Sequence, residues 1–132
     1  WYHACGVYIP STSLTVYLNG SQDGQLTTAV KSGLRTTAPA RALCFGADNN
    51  AANFFNGRIA ECGVWNASLN TKEIGALANG VLPCSVRPSS LKGYWPLLGD
   101  STEPDYSGNR NSGTVIGTAP AINHPRVQAG LL

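Results

Sequence analysis

Short apolar runs separated by turn residues characterise the first part of the chain. Residues 1–9 are aromatic and β-branched and stop at Pro10, which predicts a strand. Residues 14–18 alternate in polarity and lead into Asn19-Gly20, a pair that favours a two-residue hairpin turn. A returning strand is therefore expected from Gln22 onward, and together these strands predict a β-meander.

The same pattern of short runs continues to the end of the chain, with one longer run at residues 54–65. This run predicts one strand, or two with a bend at Gly57. Alternation along it turns Glu61 outward and turns three small residues to the core, Ala60, Cys62 and Val64. Further short strands are predicted at residues 41–46, 91–97 and 114–116. The polar or Gly- and Pro-rich stretches between them predict loops at residues 27–40, 47–53 and 99–112.

One segment has the period of a helix. Asn70 is a good N-cap, and Glu73 three residues later completes a capping box. An apolar stripe follows at Ile74, Leu77 and Ala78, and Gly80 supplies the C-terminal stop. Seven or eight short strands with one short helix and no alternation of strands with helices predict an all-β jelly-roll sandwich.

Composition excludes several classes of function. Charged residues make up 12% of the 132-residue chain, which is about half the usual share. The net charge of +2 is too weak, and its basic residues too scattered, for a nucleic-acid-binding protein. No stretch approaches the roughly 20 apolar residues of a membrane helix. The chain begins with Trp1 and has no Met, so we expect it to be a processed product or a fragment.

The four cysteines, Cys5, Cys44, Cys62 and Cys84, form no closely spaced pair of the kind that binds zinc. Most of them lie in apolar strand patterns, which favours small buried apolar residues. The alternative is one or two disulfides in an oxidising compartment, for which the spacing leaves the pairing open.

Three stretches of the chain match, in order and spacing, the motifs of a known family. They are WYHACGVY at residues 1–8, LTVYLNG at residues 14–20 and LCFGADNNAANFFNGRIAECGVWNASLNTKEIGALANG at residues 43–80. They resemble the second half of a laminin-G-like, concanavalin A-like lectin/glucanase domain. The resemblance covers residues 1 to about 80 and implies the jelly-roll fold.

A second match, LKGYWPLLGDSTEPDYSGNRNSGTVIG at residues 91–117, resembles the segment with which such domains open. Here it follows the helix. We expect residues 1–132 to form a single domain that is permuted or lacks upstream strands, because the connector is short. The alternative is the end of one domain over residues 1–82 and the start of another over residues 91–132. The resemblance implies that the missing strands lie upstream or come from a neighbouring subunit.

The resemblance to a family with a glucanase branch raises the question of catalysis. The carboxylates of this chain do not fit the chemistry of that branch. That chemistry needs two carboxylates flanking one glycosidic bond. Glu61 has no other carboxylate within four residues on either side. His3 lies in an apolar strand and is expected to be a hydrogen-bonded strand histidine. We therefore expect no enzyme.

Two loops are candidate calcium sites. Asp105, Asn109 and Asn111 place oxygen-bearing side chains on alternate residues, together with Ser107, and calcium prefers such oxygen ligands. The alternative is a turn whose side chains bond their own backbone. Asp48, beside two asparagines, is a second candidate. Calcium is thus the one candidate cofactor.

Aromatic residues beside amides are candidate glycan-binding groups. They are Asn53, Phe55 and Asn56 in one loop and Tyr106 in another. The alternative places Phe54, Trp65 and Trp95 in the core. We expect a non-catalytic interaction module of a virion or extracellular surface, bound to other protein subunits, with glycan binding as the alternative and neither nucleic-acid binding nor membrane insertion.

Overall fold

The computed structural model describes residues 1–33, 42–48, 53–117 and 123–128. Within these ranges the chain forms short strands and one α-helix, α1 (Thr71–Ala78). The strands are β1 (Ala4–Ile9), β2 (Ser13–Leu18), β3 (Ser21–Leu26), β4 (Cys62–Trp65), β5 (Leu91–Trp95), β6 (Thr102–Glu103) and β7 (Gly113–Thr114). Their sheets are arranged as in a sandwich, which confirms the all-β jelly-roll class with one short helix. In the described part of the chain, no helix is long and apolar enough to cross a membrane.

The first three strands form an antiparallel meander in the order β1-β2-β3. Asn19 and Gly20 join β2 to β3 with φ of 50° and 83°, the positive values that a tight hairpin turn requires. This turn confirms the hairpin prediction. A Cβ at Gly20 would lie 3.1 Å from the Cβ of Ala78, so the turn also packs closely on α1.

The two faces of this meander differ in their surroundings. Cross-strand partners share a face, and Val7 pairs with Thr15 on the buried inner face. The outer face carries apolar side chains that remain between 40% and 49% exposed, namely Leu14, Val16, Leu18 and Leu26. Among the described residues, the meander is thus covered on its inner side and partly exposed on its outer side.

Helix α1 begins and ends where its local sequence predicts. The Asn70 side chain accepts hydrogen bonds from the backbone N–H groups of Lys72 and Glu73, and the Glu73 carboxylate accepts the Asn70 N–H at 2.7 Å. At the other end Gly80 has φ of 86°, and the Val81 N–H donates back to Ala76. Both predicted caps are confirmed.

The core lies between the inner face of the meander, α1 and the turn that precedes β5. Ile74 of α1 and Val86 are fully buried, and they cluster with Val7 and Leu69. Trp65 packs against this cluster and donates its indole N–H to the Val86 carbonyl at 2.8 Å. The alternative that placed both tryptophans in the core is thus confirmed. Trp95 is buried, and the half-buried Trp65 packs against the core cluster.

Two predicted strands are wrong over most of their length. Of residues 54–65, only Cys62–Trp65 forms a strand, because β5 supplies an antiparallel partner for those four residues. Residues 42–46 form no strand; residue 41 of that prediction lies outside the described ranges. Phe54 is 68% exposed, so its assignment to the core is also wrong. Alternation predicts strand character, but a strand needs a neighbour for its backbone groups.

Candidate functional site

The first group of predicted glycan-binding residues lies in an exposed loop. Asn53 has φ of 51° and donates its side-chain N–H to Asp48 at 2.7 Å, so the structure brings these two predicted site residues together. Phe55 is 60% exposed, and its backbone N–H donates to the Gly46 carbonyl. Asn56 is exposed beside it. An aromatic ring and amide groups therefore share this loop.

Tyr106 lies beside β5. Its backbone N–H donates to the Tyr94 carbonyl at 2.8 Å, and the two rings meet at a centroid distance of 6.2 Å. The Tyr106 ring is 54% exposed. The structure thus places Tyr106 against a different element from the loop that carries Phe55.

The predicted calcium loop forms a hydrogen-bonded turn. Asp105 Oδ1 accepts the N–H groups of Tyr94 at 2.9 Å and Ser107 at 2.8 Å, and Oδ2 accepts the Asn111 N–H at 2.9 Å. Burial alone would raise the pKa of Asp105, but hydrogen bonds from Tyr94, Ser107 and Asn111 outweigh it and lower the pKa. These bonds match the alternative of a turn that bonds its own backbone.

The asparagines of this loop bond to β5. The side-chain N–H groups of Asn109 and Asn111 donate to the carbonyls of Leu91 and Lys92, each at 2.9 Å. Within the ranges that the structure describes, no three His, Cys, Asp or Glu side chains gather as metal ligands. The loop offers a cation one carboxylate, already bonded to three N–H groups. Calcium binding stays a prediction.

These bonds have a consequence for the sheet. The loop at residues 105–111 pairs with the edge of β5 that β4 leaves open, through both backbone groups of Tyr94 and the carbonyls of Leu91 and Lys92. Side chains here take the place of a neighbouring strand. The loop therefore closes one edge of the β4-β5 sheet.

Sequence reasoning missed a polar cluster around Glu61. Its carboxylate accepts a short hydrogen bond of 2.5 Å from the Tyr94 hydroxyl and lies 3.2 Å from His124 Nδ1. His124 Nε2 lies 3.0 Å from the Leu97 carbonyl. The cluster joins β4, β5 and the C-terminal segment, three parts of the chain whose proximity no local signal reveals.

The prediction that Glu61 faces outward is wrong. Its φ of 57° is left-handed, which interrupts the alternation of the chain just before β4 and turns the carboxylate inward. The side chain is only 14% exposed. Burial, and to a lesser degree the Glu61 charge, raise the pKa of the neighbouring Cys62 to about 12.

His3 differs from its prediction in one respect. It lies just before β1, and its backbone bonds to Asn19 as a strand residue would, but its buried ring Nδ1 has no hydrogen-bond partner among the described residues. Burial lowers the pKa of His3. At Nδ1 the prediction of a hydrogen-bonded ring is therefore wrong.

Three of the cysteines, Cys5, Cys62 and Cys84, are free thiols in the structure, so the disulfide alternative is not formed among them. Cys5 packs against the core, and its burial raises the pKa of its thiol. For Cys5 this agrees with the interpretation as a small apolar residue.

An open cleft of about 1330 Å³ lies between β1 and the segment that contains β4. It reaches the core at Val7 and Leu69. The C-terminal segment lines it with Arg126, and the segment before β4 lines it with Arg58. No sequence signal predicted this cleft, because its walls come from parts of the chain that are far apart in sequence.

Residues 1–75 match the family model of the concanavalin A-like lectin/glucanases superfamily, of laminin-G type. This range agrees with the resemblance found over residues 1 to about 80. No curated protein and no solved structure matches the chain. The matched range includes β1 to β4 and the start of α1.

Proposed function

Since this chain belongs to the concanavalin A-like lectin/glucanase superfamily, whose laminin-G-like members are carbohydrate-binding or structural modules and generally non-catalytic, we propose that it is a non-catalytic structural module that assembles with further copies of itself. The assembly is one on a virion or extracellular surface. The low share of charged residues, 12%, supports such a setting.

The observation that carries the proposal is the outer face of the meander. Leu14, Val16, Leu18 and Leu26 leave that face apolar and 40–49% exposed. A contiguous apolar surface of this kind marks an interaction site. Its cross-strand neighbours are also uncharged, since Ala4 pairs with Leu18 and Gly6 with Val16.

The occupant of this face is a second copy of the chain. Two uncharged apolar sheet faces are complementary to each other, and sheets pack face to face at about 10 Å in β-sandwiches. A strongly charged partner would meet no opposite charge on this face. Packing of two copies would therefore complete, between chains, a layer that the described residues leave open.

Non-catalytic function is supported by the surroundings of Glu61. Glycoside hydrolysis requires a second carboxylate at about 5–10 Å from the first. In the sequence no other carboxylate lies within four residues of Glu61, and the groups that contact its carboxylate among the described residues are the Tyr94 hydroxyl and the His124 ring. Tyr94 and His124 hold this side chain in place.

Light scattering after size exclusion tests the proposal. We expect the wild type to elute with a mass that is a multiple of 13.8 kDa. Val16→Lys places a charge at the centre of the outer face and should reduce the mass to that of one chain. Ile116→Lys, at a residue that is 78% exposed elsewhere, is the matched control and should leave the mass unchanged. A wild type of 13.8 kDa at about 100 μM protein, or an unchanged Val16→Lys mass, would refute the proposal.

A second candidate function is glycan binding, favoured by the exposed ring of Phe55 between the amides of Asn53 and Asn56. Aromatic platforms with adjacent amides suit sugar rings, and calcium is the candidate cofactor. A glycan array with and without chelator tests it. Phe55→Ala should abolish binding and Leu43→Ala, another exposed apolar residue, should not. An array without signals would remove this candidate.

We also propose that the chain is a single domain. The support is that β4, from the first matched segment, pairs with β5, from the second. Calorimetry should show one cooperative unfolding transition, because the two segments share a sheet. Two separate transitions would favour the division into residues 1–82 and 91–132.

A further inference from the structure

The edge of β1 that faces away from β2 is unpaired in the described structure. The Asn19 N–H donates to the His3 carbonyl at 2.8 Å, so this pair is hydrogen-bonded. Hydrogen-bonded and non-hydrogen-bonded pairs alternate along an antiparallel ladder. Ala4, Gly6 and Tyr8 therefore direct their backbone N–H and C=O groups away from β2.

The edge of β4 that faces away from β5 is likewise unpaired among the described residues. Gly63 lies opposite Tyr94 in the ladder. Both backbone groups of Tyr94 bond outward, to Asp105 and Tyr106. The pair is therefore not hydrogen-bonded, and Gly63 directs its own backbone groups away from β5.

Both unpaired edges border the same cleft. Ala4, Gly6 and Tyr8 line one side of it and Gly63 lines another. The other edge of the β4-β5 sheet is closed by the loop at residues 105–111. Unpaired backbone groups of β1 and of Gly63 thus border an apolar cleft, where an added strand would satisfy them.

The charge in the cleft indicates the composition of such a strand. Arg58 and Arg126 are exposed at its lining, and neither guanidinium contacts a carboxylate in the described part of the chain. The carboxylate that lines the cleft, Glu61, is already bonded to Tyr94 and His124. The cleft therefore presents uncompensated positive charge.

We propose that the cleft between β1 and β4 binds an extended strand of another polypeptide, apolar at alternate residues and acidic at its ends, through the free backbone edges of the two strands. This inference goes beyond the proposed assembly. It uses an edge of the meander, whereas the assembly uses the outer face, so either can fail alone.

Amide hydrogen exchange with a synthetic peptide tests the inference. The probe has about eight residues, a typical strand length, with valine alternating with threonine and glutamate at both ends; a lysine-ended peptide is its counterpart. We expect the glutamate peptide to slow exchange at the amides of Ala4, Gly6, Tyr8 and Gly63. The Gln25 amide, which points away from β2 on the free edge of β3, should keep exchanging rapidly.

Three substitutions separate backbone pairing from charge. Ala4→Pro removes an N–H that points into the cleft and none of the β1-β2 hydrogen bonds, and should weaken peptide binding about five- to tenfold. Gln25→Pro makes the same change on the other edge of the meander and should leave binding unchanged. Arg58→Gln should weaken binding of the glutamate peptide about threefold and should not weaken binding of the lysine peptide, which the Arg58 charge repels.

Three results would overturn the inference: no binding of the glutamate peptide at millimolar concentration, binding without protection of the β1 amides, or equal loss with Ala4→Pro and Gln25→Pro. None of them bears on the oligomer mass measured without peptide, which decides the proposed assembly. Thermal unfolding of each variant confirms that it is folded before its binding is compared.

Discussion

Asp105 offers the sharpest test of how this domain is held together. Its two carboxylate oxygens accept three backbone N–H groups, from Tyr94, Ser107 and Asn111. Asp105→Asn keeps the size of the side chain but replaces one acceptor oxygen by an N–H₂ group. If the remaining oxygen still accepts the N–H groups of Tyr94 and Ser107, the new N–H₂ group faces the Asn111 N–H. Both of these groups are donors, so no hydrogen bond forms between them.

The cost follows from these contacts. An unsatisfied N–H costs about 1–3 kcal/mol, and hydrogen bonds to a neutral acceptor are about half as strong as those to a carboxylate. We expect Asp105→Asn to lower the free energy of unfolding by about 2–4 kcal/mol. For a chain of this size the melting temperature should fall by roughly 10 °C.

Urea unfolding followed by tryptophan fluorescence measures this change. Trp95 is a suitable reporter because its indole N–H donates to the Asn111 carbonyl at 2.8 Å, within the same loop. Asp23→Asn, at an exposed carboxylate on β3, is the control and should change stability by less than about 0.5 kcal/mol. An Asp105→Asn variant as stable as the Asp23→Asn control would refute the structural role of the loop.

The pH dependence of stability depends on the same contacts. The folded pKa of Asp105 lies below its ordinary value of 3.8, so the carboxylate stabilises the fold above that value. This contribution is lost as the pH falls from 3.8 through the lowered folded pKa. The difference in stability between wild type and Asp105→Asn should therefore shrink over that window. A difference that stays constant down to complete acid unfolding would show that the carboxylate charge does not stabilise the loop.

Three further predictions concern other residues. Cys62, with a pKa raised to about 12, should resist iodoacetamide at pH 8 in the folded protein and react in guanidinium, as read by mass spectrometry; rapid reaction while folded would contradict its burial. Because burial lowers the pKa of His3 below 6.5, the wild type should lose stability as the pH falls below 6.5. The His3→Phe variant should lose less stability between pH 8 and pH 5, as measured by urea titration. Equal losses in the two proteins would exclude this role of His3. Gly80→Ala should lower the free energy of unfolding by about 1–3 kcal/mol, because φ is 86° and a Cβ would lie 2.8 Å from the Arg126 carbonyl oxygen. Gly75→Ala is the control, since a Cβ there meets nothing within 4 Å. A decrease in melting temperature no larger than that of the control would contradict the prediction.

Features whose causes are local could be predicted from the sequence. The Asn19-Gly20 turn is one, because its backbone angles depend on the two residues themselves. The caps of α1 are another, since Asn70 and Glu73 bond to each other within one helical turn. For the loop around Asp105 the sequence allows either a calcium site or a turn whose side chains bond their own backbone. The hydrogen bond from the Ser107 N–H to Asp105 matches the turn, whose cause is local.

Features that depend on distant partners could not be predicted. The strand expected over residues 54–65 shrinks to its last four residues because β5, far along the chain, decides where pairing occurs. The orientation of Glu61 depends on Tyr94 and on His124, which lies 63 residues away. The cleft and its unpaired edges arise from the placement of two sheets next to each other. No local sequence motif predicts such a placement.

The wide separation of Glu61 and His124 along the chain has a consequence for the order of folding. The contacts of the β1-β2-β3 meander are local, and hairpins form in about 1–10 μs. The contact between His124 and Glu61 closes a loop of 63 residues. Because closing a long loop costs conformational entropy, this contact forms later than the local contacts of the meander. During synthesis the meander is therefore complete, with its apolar outer face exposed, before the residues that bring His124 to Glu61 leave the ribosome.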